Sequence, residues 1–237
     1  MLKKNKIDMK QKIDKHGVLD LGYAKRRETN RALRYRLWRR TFEVIESIKK
    51  FSKKNPNSII DLGTADGKML SEIKKSYPHS KCVGIEYNDD LVKYGNSCFP
   101  HLEIKQGDVQ NLQIFKNEQF DVAIATAVIE HIINPQIFID EIKRLLKPGG
   151  ILIITAPDPL WEFIASKVGL LNDEHHHEVP NIKRIKELVT NSEMTILFSK
   201  KFMISPIGMP GEFIVENFLR KVGLNFMMAN QLVISQK

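Results

Sequence analysis

The chain has 237 residues and a mass of 27.3 kDa, with 42% hydrophobic residues, enough to bury a full core; one domain with a small appendage is the expectation. Two cysteines, Cys82 and Cys98, are too few for a disulfide framework and lack metal-ligand spacing, so they read as reduced thiols of a cytoplasmic protein without a metal site. No apolar run approaches the roughly 18 residues that cross a bilayer. The net charge of +9 is concentrated at one end: residues 1–54 hold 18 lysines and arginines against 6 acidic residues. Such a basic arm can attract phosphate on nucleic acid, on an anionic membrane surface or on a substrate. It equally suits a solvated helix face, the reading favoured by the lack of aromatic interleaving or of a known nucleic-acid module.

Residues 1–22 lack apolar periodicity. From Glu28 to Phe51, Leu33, Leu37, Trp38, Phe42, Ile45 and Ile48 recur every three or four positions, which predicts an amphipathic helix with arginine and lysine on its other face. Asn55-Pro56 ends it, dividing a basic arm (1–55) from the main domain (56–237). Strands and helices then alternate. Strands are predicted at Ser58–Leu62, Lys81–Glu86, His101–Gln106, Phe120–Thr126 and Ile151–Thr155. Helices are predicted at Lys68–Tyr77, at Asp89–Cys98 and after Asn134-Pro135, the last stopped by Lys147-Pro148-Gly149-Gly150. Unbroken apolar strands separated by helices predict a parallel sheet covered on both faces, a doubly wound α/β fold. Beyond Ala156 the pattern loosens into a long connection (157–180), a helix at Ile182–Val189, a strand at Met194–Met203, a helix at Glu212–Val222 and a last strand at Gln231–Ser235, pairing antiparallel with the one before it. The segments 157–181 and 204–225 read as insertions on the acceptor side.

In such a sheet ligands bind beyond the carboxyl ends of the strands, where strand order reverses. The first strand runs into Asp61-Leu62-Gly63-Thr64-Ala65-Asp66-Gly67, a glycine-bearing turn whose free N–H groups can face a ligand. The second ends at Glu86, a carboxylate placed to accept ribose hydroxyls, and the third leads to Asp108, which can accept from an exocyclic amine. A nicotinamide dinucleotide fits the first two features, but the turn lacks G-x-G-x-x-G spacing.

The ordered series Ile59 to Gly67, Val83-Gly84-Ile85-Glu86, Gln106-Gly107-Asp108-Val109, Phe120-Asp121 through Glu130-His131-Ile132, and Leu146-Lys147-Pro148-Gly149-Gly150 resembles the class I S-adenosylmethionine-dependent methyltransferases. The likeness is greatest to their small-molecule, type 11-like branch. It implies a Rossmann-like, seven-stranded, mostly parallel sheet with an antiparallel last strand, here carrying an N-terminal helical arm, and S-adenosyl-L-methionine as cofactor. It further implies that Asp61 and Gly63 lie under the methionine moiety within a turn that includes Ala65 and Gly67. Glu86, with Tyr87 beside it, would hold the ribose, Asp108 and Val109 the adenine, and Ala125 and Thr126 would face the amino group. Ala65 departs from the family pattern, which has glycine there.

His131 and His176, the latter within His175-His176-His177, are the candidate bases for an acceptor that arrives protonated. Trp161 and Phe163, and Met203, Met209, Met227 and Met228, are candidates for the acceptor wall or for plain packing. Tyr23, Arg26 and Arg27 are candidates for contacts to a carboxylate or phosphate. The acceptor is expected to be a small molecule methylated on O or C, glycan, lipid-linked or quinone-like. Ala125-Thr126-Ala127-Val128 stands where amino-group methyltransferases of bases or glutamine carry an Asn/Asp-Pro-Pro-Tyr signature. RNA or protein methylation through the basic arm and a catalytically silent binding module are the alternative readings. Oligomeric state has no signature in the sequence.

Overall fold

The computed structural model describes residues 19–167 and 179–237. Seven strands form one sheet in the order β3-β2-β1-β4-β5-β7-β6. They are β1 (Ser58–Leu62), β2 (Lys81–Glu86), β3 (Glu103–Gln106), β4 (Phe120–Thr126), β5 (Leu146–Pro157), β6 (Thr195–Phe202) and β7 (Asn230–Gln236). β1 to β5 pair in parallel, and β7 is antiparallel to both β5 and β6. The expected fold class and the antiparallel last strand are therefore present.

Helices cover both faces. On one, α2 (Arg31–Phe51), α3 (Lys68–Ser76) and α4 (Asp89–Cys98) place Val44, Ile48, Leu70, Ile73 and Val92 against Ile59, Val122 and Ile153. On the other, α5 (Pro135–Leu145) and α7 (Ile182–Asn191) place Phe138, Ile142, Ile185 and Leu188 against Ile60, Ala123 and Leu152. Ile59 and Ile60 are adjacent in β1 and both wholly buried, one in each layer, so the strand needs apolar residues on both faces and shows no alternation.

Three elements differ from expectation. The segment before Glu28 contains a helix, α1 (Leu21–Thr29), whose N-cap Asp20 accepts the Tyr23 N–H through its side chain. Asn30 then caps the start of α2 by accepting from Leu33 N–H, so the single helix expected here is two. β5 begins at Leu146, before the glycine pair: Gly149 adopts φ +79°, and the register against β4 shifts between Phe120 and Val122, so the strand passes through an irregularity where the sequence reads as a stop. The long connection contains α6 (Pro159–Lys167), which buries none of its side chains. The last helix, α8, spans Glu212–Lys221. No described helix is long and apolar enough to cross a membrane.

Candidate functional site

Strand order reverses between β1 and β4, and a pocket of about 300 Å³ opens at their carboxyl ends. Of the residues singled out in the sequence, Asp61, Gly63, Ala65, Thr126 and His131 line it, together with Tyr23, Arg27, Trp161 and Met203. The others stand elsewhere. Ala125 is buried within β4, Phe163 faces outward on α6, Met209 is exposed and Met228 is wholly buried. Arg26, Met227, Tyr87, Asp108 and Val109 lie outside the pocket lining, as does Glu86, which stands directly behind the turn. His176 falls outside the described residues. The floor thus takes in the first turn and the end of β4, while the residues expected at the adenosine end follow β2 and β3 along the sheet edge.

Asp61 is almost completely buried. Its Oδ2 accepts a 2.7 Å hydrogen bond from the Thr64 hydroxyl, while Oδ1 has no partner. Burial is the main reason its carboxyl is pushed up to about 7; the Thr64 bond opposes the rise and the neighbouring Glu86 adds to it. Glu86 accepts the Ala65 N–H on one oxygen and the Asn88 N–H on the other, each at 2.9 Å, so the end of β2 fixes the shape of the β1 turn. Burial also raises the Glu86 carboxyl, against the pull of those backbone bonds. A carboxylate with about four acceptor sites keeps capacity for further donors.

Gly63 has φ +73°, and a Cβ there would stand 2.5 Å from Val128 Cγ2, on the segment after β4. The turn and the β4 loop therefore pack so closely that only glycine fits. Gly63→Ala is expected to cost roughly 2 kcal/mol or more of stability and to widen the pocket floor, checked by thermal melting alongside cofactor titration.

Ala65, where the resembling family carries glycine, also lies in the left-handed region at φ +52°. Its methyl is taken up in a small apolar cluster with Ala24 of α1 and Leu91 of α4, so the side chain is accommodated by packing while the backbone strain remains. Ala127 (φ +54°) and Met203 (φ +68°) are strained in the same way, and both line the same pocket.

The arm forms the roof. Leu19, Tyr23 and Arg27, spaced at i, i+4 and i+8, face the pocket from α1 and the residues before it, and Arg27 forms a buried ion pair with Asp66 of the turn. Asn88 Nδ2 donates to Leu19 carbonyl at 2.8 Å and ties this segment to the end of β2. From α2, Leu33, Arg36, Leu37 and Arg40 add a wall, with Arg40 reaching Asn230 Oδ1 at 3.2 Å. Arg36 and Arg40 were not singled out in the sequence, although their spacing from Leu33 and Leu37 puts them on one helical face. Among the described residues no group of three His, Cys, Asp or Glu side chains is placed to hold a metal ion.

A covered parallel sheet in this order, with β7 antiparallel between β5 and β6 and a ligand-sized pocket at the switch point, defines the class I S-adenosylmethionine-dependent methyltransferases. Residues 18–197 match the family model for a methyltransferase domain, and the chain belongs to that family. It is 22% identical over 147 residues to the malonyl-[acyl-carrier protein] O-methyltransferase of Halalkalibacterium halodurans, covering 56% of this chain and 54% of that protein. With the ubiquinone/menaquinone biosynthesis C-methyltransferase of Syntrophotalea carbinolica it shares 25% identity over 62% of this chain and 60% of that protein. The chain thus spans little more than half the length of these two relatives. The solved structure of an S-adenosylmethionine-dependent methyltransferase from Archaeoglobus fulgidus matches with a TM-score of 0.67, 14% identity, and 92% and 100% coverage of the two chains.

Proposed function

We propose that this protein transfers the methyl group of S-adenosylmethionine to an oxygen or carbon acceptor on a small molecule. The observation that carries the reading is the unpartnered Oδ1 of Asp61, buried on the floor of a pocket at the switch point. A buried carboxylate oxygen without a donor is costly, and an ammonium group such as that of the cofactor's methionine end would satisfy it. Arg27, Arg36 and Arg40 on the facing wall suit the accompanying carboxylate. In this reading Gly63, Ala65 and Gly67 shape the turn around that end, with Thr126 closing its far side and Ala125 buried behind it. Glu86 and Tyr87 receive the ribose, and Asp108 and Val109 the adenine.

Bound there, the cofactor supplies an electrophilic methyl group on sulfonium. What the chain contributes is alignment and exclusion of water, worth several kcal/mol when the reacting atoms are held at about 3 to 3.5 Å. In the same reading Trp161, Ile164, Met203 and Pro206, which line the pocket, form an apolar acceptor wall, and His131, the histidine on the lining among the described residues, takes a proton from a hydroxyl acceptor. Of the basic arm, residues 19–55 serve as roof and wall, and the domain that begins at residue 56 carries out the transfer. The O- and C-methyltransferases among the relatives support transfer to oxygen or carbon, and one of them, of ubiquinone/menaquinone biosynthesis, supports a quinone-like acceptor over a glycan or lipid-linked one.

Calorimetric titration with S-adenosylmethionine tests the first half: saturable binding is expected, and no heat together with no thermal shift at high cofactor would refute it. His131→Gln tests the second. Turnover should fall roughly tenfold to a hundredfold with cofactor affinity unchanged; unchanged turnover on a hydroxyl acceptor would remove His131 from the proton path.

A further inference from the structure

Helix α8 is amphipathic in the reverse of the usual sense. Its buried side carries two carboxylates: Glu212 takes hydrogen bonds from the Ile204 and Ser205 N–H groups and from Tyr35, and Glu216 pairs with Arg39. Its outer side presents Ile214 at 75% exposure and Phe218 at 61%. The apolar surface continues in both directions. Phe213 meets Trp38 and Phe42 of α2, with ring centroids 6.4 and 5.1 Å away. Past α8, exposed Val222, Leu224 and Phe226 lead to α6, where the Trp161 indole N–H donates to the Phe226 carbonyl at 2.8 Å and Phe163 stands 60% exposed. A patch of this breadth on a soluble surface marks an interaction site.

The charge within the patch identifies what covers it. From residue 195 to 237 the acidic side chains are Glu212 and Glu216 alone, and both are buried; on α6 the one acid, Glu162, lines the pocket. Around the apolar residues stand exposed cations. Lys221 ends α8, Lys167 lies 5.5 Å from the Phe163 ring, and Arg31 and Arg34 share a shallow groove with Trp38, Ile207 and Met209. A second copy would bring the same cations against these, whereas an anionic bilayer satisfies both features at once, its acyl boundary taking the apolar side chains and its headgroups the cations.

We propose that the face formed by the outer sides of α8 and α6 and the flank of α2 docks on an anionic lipid bilayer. Trp161 and Ile164 of α6 and Pro206, just before Ile207, line the pocket, so its mouth adjoins the docked face. An acceptor with an apolar tail then passes from the membrane to the pocket without crossing water. That consequence rests on the methyl transfer proposed above, while the docking itself does not.

Flotation with phosphatidylcholine vesicles, with and without phosphatidylglycerol, tests it on the full chain. Association is expected with the anionic vesicles and little with the neutral ones. Ile214→Glu combined with Phe218→Glu should lower it at least tenfold, leaving the melting temperature and cofactor binding unchanged because both side chains are exposed. Lys221→Gln should weaken it roughly fivefold. No association with either vesicle, association indifferent to the glutamates, or a dimer in sedimentation that Ile214→Glu dissolves would overturn the proposal. Vesicle binding without any affinity for S-adenosylmethionine would leave the docking standing and remove the methyl-transfer reading instead.

Discussion

Asp61→Asn is expected to raise the melting temperature of the ligand-free protein at about pH 8 while weakening S-adenosylmethionine binding roughly tenfold to a hundredfold. The two effects share one cause. Burial lifts the Asp61 carboxyl from its ordinary 3.8 to about 7, so between those values the folded state keeps a proton that the unfolded chain releases. Stability therefore falls as pH rises through that window, and the loss is complete once the folded group has also ionised. At about 1.4 kcal/mol per pH unit the cost reaches a few kcal/mol. Asparagine has the same shape and can still accept from Thr64, but it carries no charge to desolvate. Its stability curve should stay flat where the wild-type curve declines, and the two should converge toward the ordinary carboxylate value. For the wild type, an ammonium partner pulls the carboxyl back down, so cofactor affinity should climb with pH until about 7, by up to roughly tenfold per unit. Parallel stability curves for wild type and variant would show that Asp61 is not the titrating group.

The second large effect is structural. Arg39→Met is expected to cost about 3–5 kcal/mol, a drop of roughly 10 °C in melting temperature for a chain of this size. Arg39 has 0% exposed surface, pairs with Glu43 and, at 2.8 Å, with Glu216, and its guanidinium lies 4.3 Å from the centre of the Phe213 ring. Removing it leaves Glu43 with Lys200 at 2.7 Å, and Glu216 with the Met203 N–H at 2.6 Å and Arg220 at 3.4 Å. The same Met203 lines the pocket with a strained backbone, so the variant's KM for the acceptor should rise more than its kcat falls. Adding Glu216→Leu should restore much of the lost stability, because a buried pair replaced as a whole costs far less than one left half-made. If the second change deepens the loss instead, the network acts through packing rather than charge.

How much of this was written in the chain can be followed residue by residue. β1, β2 and β4 end where their apolar runs end, since strands buried on both faces leave no other signal to confuse. The start of β5 was hidden because Gly149, which reads as a terminator, takes a left-handed conformation that lets the strand continue. α1 was missed because its own amphipathic pattern is weak; the Asp20 cap and the spacing of Leu19, Tyr23 and Arg27 acquire meaning only once the turn at Asp61 lies beneath them. Arg39 belongs to a basic run that suits a solvated face. Its i+4 partner Glu43 is visible in the sequence, but Glu216 lies 177 positions away and is brought in by tertiary structure alone. The glycine turn and the acids ending β2 and β3 were legible as types. That Asp61 lines the pocket while Glu86 and Asp108 do not was not.

The nine-residue helix α1 also bears on tempo. Leu19, Tyr23 and Arg27 are set over the cavity, Ala24 is wedged against the turn, and Arg27 is clasped to Asp66. Under the methyl transfer proposed above, opening of that hatch would add a mechanical step to each round, at the release of the demethylated by-product. A chain with the Arg27 latch cut should shed that by-product sooner and suffer less inhibition from it.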